Sequence, residues 1–301
     1  YASTLDCLAT PTNFTAVSST RHTLSFAWQD NTTVTSDVII IERKLNSGST
    51  WTEVDRVPES QDQYTDTTVL CGVTYDYRLR AYRASENNYS MYSVVLTMST
   101  DTCNYQSGPH FIVTTSDDEI AYCEADRCSL RSAIEAANNR AGADTIYLPE
   151  GTLQMTLEGR YEEYNQTGDF NVKDDLTIIG HVSGTTIDAN HIDRIFRLYI
   201  IDFTLENVTL LNGEMPENGG TENDKYDGGT IHAETTRNLI LNNVKVQDSI
   251  GNRGGAFWLD RVTNFTINNS RFVGIHSYDE GGVIFSNRST LTINTSEFES
   301  N

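Results

Sequence analysis

No stretch of this chain approaches the ~20 consecutive apolar residues of a membrane-spanning helix, so nothing in it is built for direct membrane insertion. Basic residues are scarce: 21 Lys and Arg stand against 42 Asp and Glu, a net charge of −21. That balance excludes nucleic acid as a partner, because neutralising phosphates requires cations. It is equally unsuited to anionic lipid. Also missing are a Cys-x-x-Cys pair, a Cys/His zinc spacing, a Gly-x-Ser-x-Gly elbow, a phosphate loop and a His-Glu-x-x-His helix. The expected cofactor set is therefore empty. Acidity reads first as solubility in an extracellular medium, and second as Ca²⁺ held between loop carboxylates, although no EF-hand loop or nonapeptide array occurs.

What is present is enough for two ordinary domains. The chain has 301 residues, 38% of them hydrophobic, and it begins at Tyr1 rather than Met. Five cysteines suit an oxidising compartment. Cys123 and Cys128 enclose only four residues and read as a local disulfide. Nine Asn-x-Ser/Thr sequons, at Asn13, Asn31, Asn88, Asn165, Asn207, Asn264, Asn268, Asn287 and Asn294, are glycosylation candidates.

Residues 8 to 103 carry seven short runs with alternating apolar positions, separated by turn residues: 13–17, 23–28, 37–44, 50–57, 63–69, 74–82 and 89–100. This is the pattern of a β-sandwich. With Pro11 before the first run, Trp28 ending the second, and LCGVTYDYRLRAY followed by YSMYS, the segment resembles a fibronectin type III module. The resemblance implies that Trp28 is a core aromatic. It also implies that Tyr75 is a tyrosine corner, its hydroxyl tied to upstream backbone. In such a sandwich Cys71 and Cys103 lie at the same pole, which implies a Cys71–Cys103 bridge and leaves Cys7 odd. Modules of this kind serve as spacers or binding units.

Residues 104–110 read as a linker. The run SLRSAIEAANN (129–139) is the one good helix: Leu130, Ile134 and Ala137 share a face and Ser129 is placed to cap it. Beyond it a period appears. Gly-Gly occurs at 228–229, 254–255 and 281–282, and LILNNVKV (239–246), FTINNSRF (265–272) and LTINTSEF (291–298) repeat every 26 residues, with FTLENVTL (203–210) 36 earlier. A period of this size marks a solenoid. Alternation assigns inward columns Phe203/Leu239/Phe265/Leu291, Leu205/Leu241/Ile267/Ile293, Leu210/Val246/Phe272/Phe298 and Ile231/Phe257/Ile284. Asn207/Asn243/Asn269 align at a turn, with Thr295 breaking the series, beside a second column, Asn242/Asn268/Asn294. The passage CSLRSAIEAAN, followed by DTIYLPEGTLQMTL, DDLTIIG and TTIDAN, resembles the CSLREA-type domain, which caps right-handed β-helices of surface proteins, often ahead of repeats like those of polymorphic outer membrane proteins. The family's Glu is Ser132 here, which removes half of a capping box.

The expected architecture is all-β: a fibronectin III-like sandwich (1–103), a linker (104–110), a CSLREA-like cap with one short helix (111–143) and a right-handed parallel β-helix (144–301). The last repeat, TSEFESN, stops partway, so the stack is expected to continue beyond 301 or to be covered by another chain. The densest group with chemical potential is TTIDANHIDR, with Asp188, His191, Asp193 and Arg194, and it reads as a polar turn; no catalytic, cofactor-binding or metal-binding residue is assigned. One outward column, His232, Trp258 and Phe285, reads as a docking stripe for another protomer or a glycan, with Trp258 at the surface and Phe257 in the core. The function expected is that of a secreted or cell-surface structural and adhesive protein, part of a filament, sheath or surface layer. Its expected partners are its own copies, other surface proteins or glycans. A carbohydrate-active β-helix enzyme and a glycan-binding adhesin module are the rivals.

Overall fold

The structure, a computed structural model, describes residues 8–31, 37–160, 162–215 and 227–301. Contacts divide the chain into two units, Tyr1–Cys103 and Asn104–Asn301.

The first unit is an antiparallel sandwich. Thr12–Ser19, Leu24–Gln29 and Gln63–Asp66 form one sheet. Thr52–Pro58, Val38–Leu45 and Thr74–Arg83 form the other, with Asn88–Tyr89 and Leu96–Ser99 both paired to Thr74–Arg83. The run expected at 89–100 is thus two strands. Between them the Ser90 and Ser93 hydroxyls accept from the backbone N–H groups of Ala81 and Leu79, both at 2.9 Å, standing in for ladder carbonyls. Phe26, fully buried, meets Phe14 edge-on at 5.3 Å and Tyr77 at 4.8 Å, with Trp28 at 6.3 Å. The Tyr75 hydroxyl accepts from the Leu70 N–H at 3.0 Å, which is the tyrosine corner. Cys71 and Cys103 are bonded. Cys7 lies outside the described residues.

The second unit is a parallel β-helix with three long sheets and a short two-stranded one, Ile250–Gly251 with His276–Ser277. The first sheet stacks His110–Ile112, Asp144–Tyr147, Leu176–Ile179, Asp202–Glu206, Asn238–Asn242, Asn264–Asn268 and Leu291–Asn294. The second stacks Gly151–Gln154, Thr185–Asp188, Val208–Leu211, Lys245–Gln247, Arg271–Val273 and Glu297–Glu299. The third stacks Phe170–Val172, Phe196–Tyr199, Ile231–Glu234, Phe257–Asp260 and Ile284–Asn287.

Every inward column expected from the repeats is in register, as in Leu176/Phe203/Leu239/Phe265/Leu291. Rings from different sheets meet in the interior: Phe257 lies 5.3 Å from Phe265 and 5.7 Å from Phe272. Burying each such side chain contributes roughly 1.5–3 kcal/mol. In the final coil Leu291, Ile293 and Phe298 remain exposed.

The stack begins earlier than the sequence suggests. His110–Ile112 is already its first rung, parallel to Asp144–Tyr147. Residues 104–110 are folded onto this unit rather than linking to it: the Gln106 N–H donates to the Cys123 carbonyl and its side chain bonds Ile112 in both directions. The helix Leu130–Asn138 buries Leu130, Ala133, Ile134 and Ala137 in the same core. Ser129 caps it by accepting from the Ser132 N–H at 3.0 Å, and the Ser132 hydroxyl packs 2.9 Å from that of Ser129 where a Glu would reach back. Cys123 and Cys128 are bonded.

Candidate functional site

The TTIDANHIDR segment runs off the end of a second-sheet strand into two successive left-handed residues, Asn190 (φ 52°) and His191 (φ 59°). That sharp turn separates the polar groups which the sequence crowds together. The Asp188 carboxylate accepts from the Asn190 N–H at 2.8 Å, the Asn212 amide at 2.9 Å and the Gln154 amide at 3.2 Å. The two amides come from the coils on either side. His191 Nδ1 lies 2.7 Å from Glu214 on the outside.

Asp193 turns inward. Its carboxylate accepts from the Arg194 N–H at 2.8 Å and from the Asp169 N–H at 3.4 Å. Arg194 is buried, lies 3.3 Å from Asp169 Oδ2, and donates to the Asp227 carbonyl at 2.8 Å. Burial pushes the Asp169 carboxyl up to about 7, and the Asp193 charge adds to the rise while Arg194 opposes it. Asp193 is raised for the same first reason, burial. The two carboxylates are the kind of pair that could hold a cation, and Arg194 already serves as one. The arrangement ties three coils together, and Asp169, Asp193 and Arg194 are all buried in it. The Asp169 partner, 24 residues upstream, left no local signal in the sequence.

The outward column on the third sheet exists, but it is not a surface stripe. His232, Trp258 and Phe285 are in register, and the His232 and Trp258 rings stack at 4.2 Å. Yet His232 and Trp258 are each only 4% exposed. The Gly-Gly turns pack tightly on the backbone of the following strands. A Cβ on Gly228 would stand 2.9 Å from the Trp258 nitrogen, and one on Gly254 2.8 Å from the Phe285 nitrogen. Both glycines have φ near +67° (68° and 66°), where a side chain is disfavoured as well as crowded. The Arg253 guanidinium covers the half-buried Phe285 ring at 4.9 Å. Burial pushes His232 well below the usual histidine range, with Arg194 and Arg197 adding to it, so this ring is neutral at pH 7. Alternation gave the direction of Trp258 correctly and its exposure wrongly.

The sequons fall into two groups. Attachment of a glycan uses Asn Nδ2, and seven of the nine nitrogens are already donating. Asn165 is buried and bonds the Arg131 carbonyl at 3.0 Å. Asn13 bonds Gln29 and Asn31 bonds the Thr10 carbonyl, both at 2.8 Å. Asn264, Asn268, Asn287 and Asn294 donate to the coil before them, to Asn238, Asn242, Asp260 and Asn268, at 2.7–2.9 Å. Asn88 and Asn207 have no such bond among the described residues. The turn asparagines take the left-handed conformation expected of them, with φ of 56°, 52° and 49° at Asn207, Asn243 and Asn269; Thr295 follows at 47°.

No family model matches the sequence, and no curated protein matches it. Several solved structures resemble about a third of it. The fibronectin type III domain of human fibronectin type III domain containing protein 3 is 19% identical over 36% of this chain and 97% of its own, with a TM-score of 0.29. The fn3 domain of the human collagen alpha-1(XX) chain is 19% identical over 36% of this chain and 98% of its own, also at 0.29. The chicken CNTN1 FN1–FN3 domains are 13% identical over 32% of this chain and 33% of their own, at 0.29. The assignment of a fibronectin III-like sandwich rests on strand order, core and tyrosine corner, and the assignment of a β-helix on its parallel registers.

Proposed function

We propose that this chain is a structural and adhesive component of an extracellular or cell-surface assembly, in which the sandwich serves as a spacer or docking module and the coil stack as a rigid rod. The observation that carries this reading is the fate of the polar side chains. The groups with most chemical potential, Asp188, Asp193, Asp169 and Arg194, are spent on bonds between coils, as are the asparagine ladders. An enzyme of this fold needs converging groups left open to substrate; a scaffold needs cross-links between rungs. Two disulfides suit an oxidising compartment. Electron microscopy of native material tests the reading directly: rods, sheaths or lattices containing the chain are expected. Dispersed particles that depolymerise a polysaccharide would replace it with the carbohydrate-active alternative.

A further inference from the structure

We infer that the groove on the outer face of the second sheet binds an acidic saccharide, a uronic-acid unit of a polysaccharide, with Lys245 as the anchoring cation. The groove has a volume of about 460 Å³, within the range of small-molecule sites. Its floor is the outward column Thr209/Lys245/Arg271, held in register by parallel pairing. One side is the asparagine turn, and the other is a tight loop closed by the Gly184 N–H donating to the His181 carbonyl at 2.9 Å.

Three features give the groove its chemistry. First, in a chain with 42 acidic residues, none of the twelve residues lining it is Asp or Glu. Second, its charged side chains are both cations. Lys245 has no ion-pair partner among the described residues, and it lies one strand spacing, ~4.8 Å, from Arg271 in the next coil. Arg271 is held at the rim by Glu299 at 2.5 Å and Glu297 at 3.6 Å, which fixes its position and leaves Lys245 as the open charge. Third, the asparagine ladder ends here. Asn207 Oδ1 accepts from Asn243 at 2.8 Å, but its Nδ2 has no bond among the described residues, because the previous coil presents Gly180, where a Cβ would stand 2.1 Å from the Asn207 carbonyl oxygen. The result is an ammonium, an amide N–H pair and the Thr209 hydroxyl beside the exposed Val182. A carboxylated pyranose offers the matching set: one carboxylate, several hydroxyl and ring oxygens, and a C–H face. The helix N-terminus that phosphate sites use is not part of this lining.

The inference goes beyond the scaffold reading and does not depend on it. The test is calorimetric titration of the full chain, produced without N-glycosylation so that Asn207 is bare, with trigalacturonate and with the neutral galactose trisaccharide. Trigalacturonate is expected to bind with an affinity that falls as salt rises, and the neutral sugar at least tenfold more weakly. Lys245→Glu should abolish binding and Lys245→Ala reduce it tenfold or more, with unfolding midpoints unchanged. Lys173→Glu, an exposed lysine elsewhere on the same unit, should leave binding as it was. Failure of trigalacturonate to bind, equal binding by the neutral sugar, or equal binding by Lys245→Glu would each overturn the inference. Saccharide binding without rods would sink the scaffold reading alone, and rods without binding this one alone.

Discussion

In the sandwich Phe26 meets Phe14, Tyr64, Tyr77 and Trp28 at once, and no other position repeats its role. In the coil stack Phe257 shares its column with Ile231 and Ile284 and touches mainly its own coil and its neighbours. The first unit is closed by contacts between residues far apart in sequence; the second is assembled from nearest-neighbour terms. Damage should therefore spread through the whole sandwich and stay local in the stack.

The largest effects should come from the aromatic cores. Phe26→Ala and Phe257→Ala should each cost roughly 3–5 kcal/mol. Hydrogen exchange on the full chain should show Phe26→Ala deprotecting all of 8–103, and Phe257→Ala only the coils around 231, 257 and 284. Uniform loss over 104–301 would show that the stack is one cooperative block. Trp258→Ala belongs with these, because the ring is buried. A thermally silent Trp258→Ala would show that burial of this ring does not stabilise the stack.

Next come the disulfides. Cys71–Cys103 closes a separation of 32 residues and Cys123–Cys128 one of 5. Loop-closure entropy makes the first worth about 4 kcal/mol and the second about 2. Calorimetry of Cys103→Ser and Cys128→Ser should reproduce that order, and the reverse order would place strain rather than loop length in control.

The two units should also answer pH with opposite signs. Asp169 in the stack is raised by burial to about 7, against 3.8 ordinarily. Folding there takes up a proton, so its contribution is complete below about pH 4 and is lost as pH rises through about 7. Asp76 in the sandwich is lowered to about 2, chiefly by its hydrogen bond with Lys44 and then by Thr97 and Asn46. Its contribution is complete above about pH 4 and is lost as pH falls through about 2. Scanning calorimetry from pH 8 to 5 should raise the stack's transition by a few degrees, and from pH 4 to 2 should lower the sandwich's. Parallel movement of the two transitions would contradict both assignments.

Smallest are the single-site adjustments, each about 1 kcal/mol. Tyr75→Phe removes the bond to the Leu70 N–H and should destabilise the sandwich. Thr295→Asn relieves a β-branched residue at φ 47° and should stabilise the last coil. A loss at Thr295→Asn would show that this turn has relaxed away from its neighbours' conformation.

The sequence disclosed the stack best where one physical demand recurs every coil. Columns such as Leu205/Leu241/Ile267/Ile293 announce themselves because each coil must bury the same face. The left-handed asparagines show for the same reason. It was silent where a role is taken once. His110–Ile112 is a single apolar-centred triplet with no repeat to mark it as a rung. Asp169 and Asp193 meet only through the path of the turn after Asn190. The burial of Trp258 depends on what lies over the outer face of its sheet, which side-chain alternation does not encode. Lys245 and Arg271, at equivalent places in LNNVKV and INNSRF, were visible as a pair of cations one period apart; what sequence alone lacked was the neighbouring loop that makes a groove of them.

The direction of the parallel pairing has a mechanical meaning. The backbone hydrogen bonds between rungs run along the stack, so tension applied along that direction loads the bonds of one rung at a time, as a zipper is loaded, instead of shearing many together. With Gly-Gly turns 26 residues apart, each rung that opens would release roughly 90 Å of chain. Under load such a stack would lengthen in equal countable steps, dissipating work at each one, and could close again rung upon rung when the load is removed.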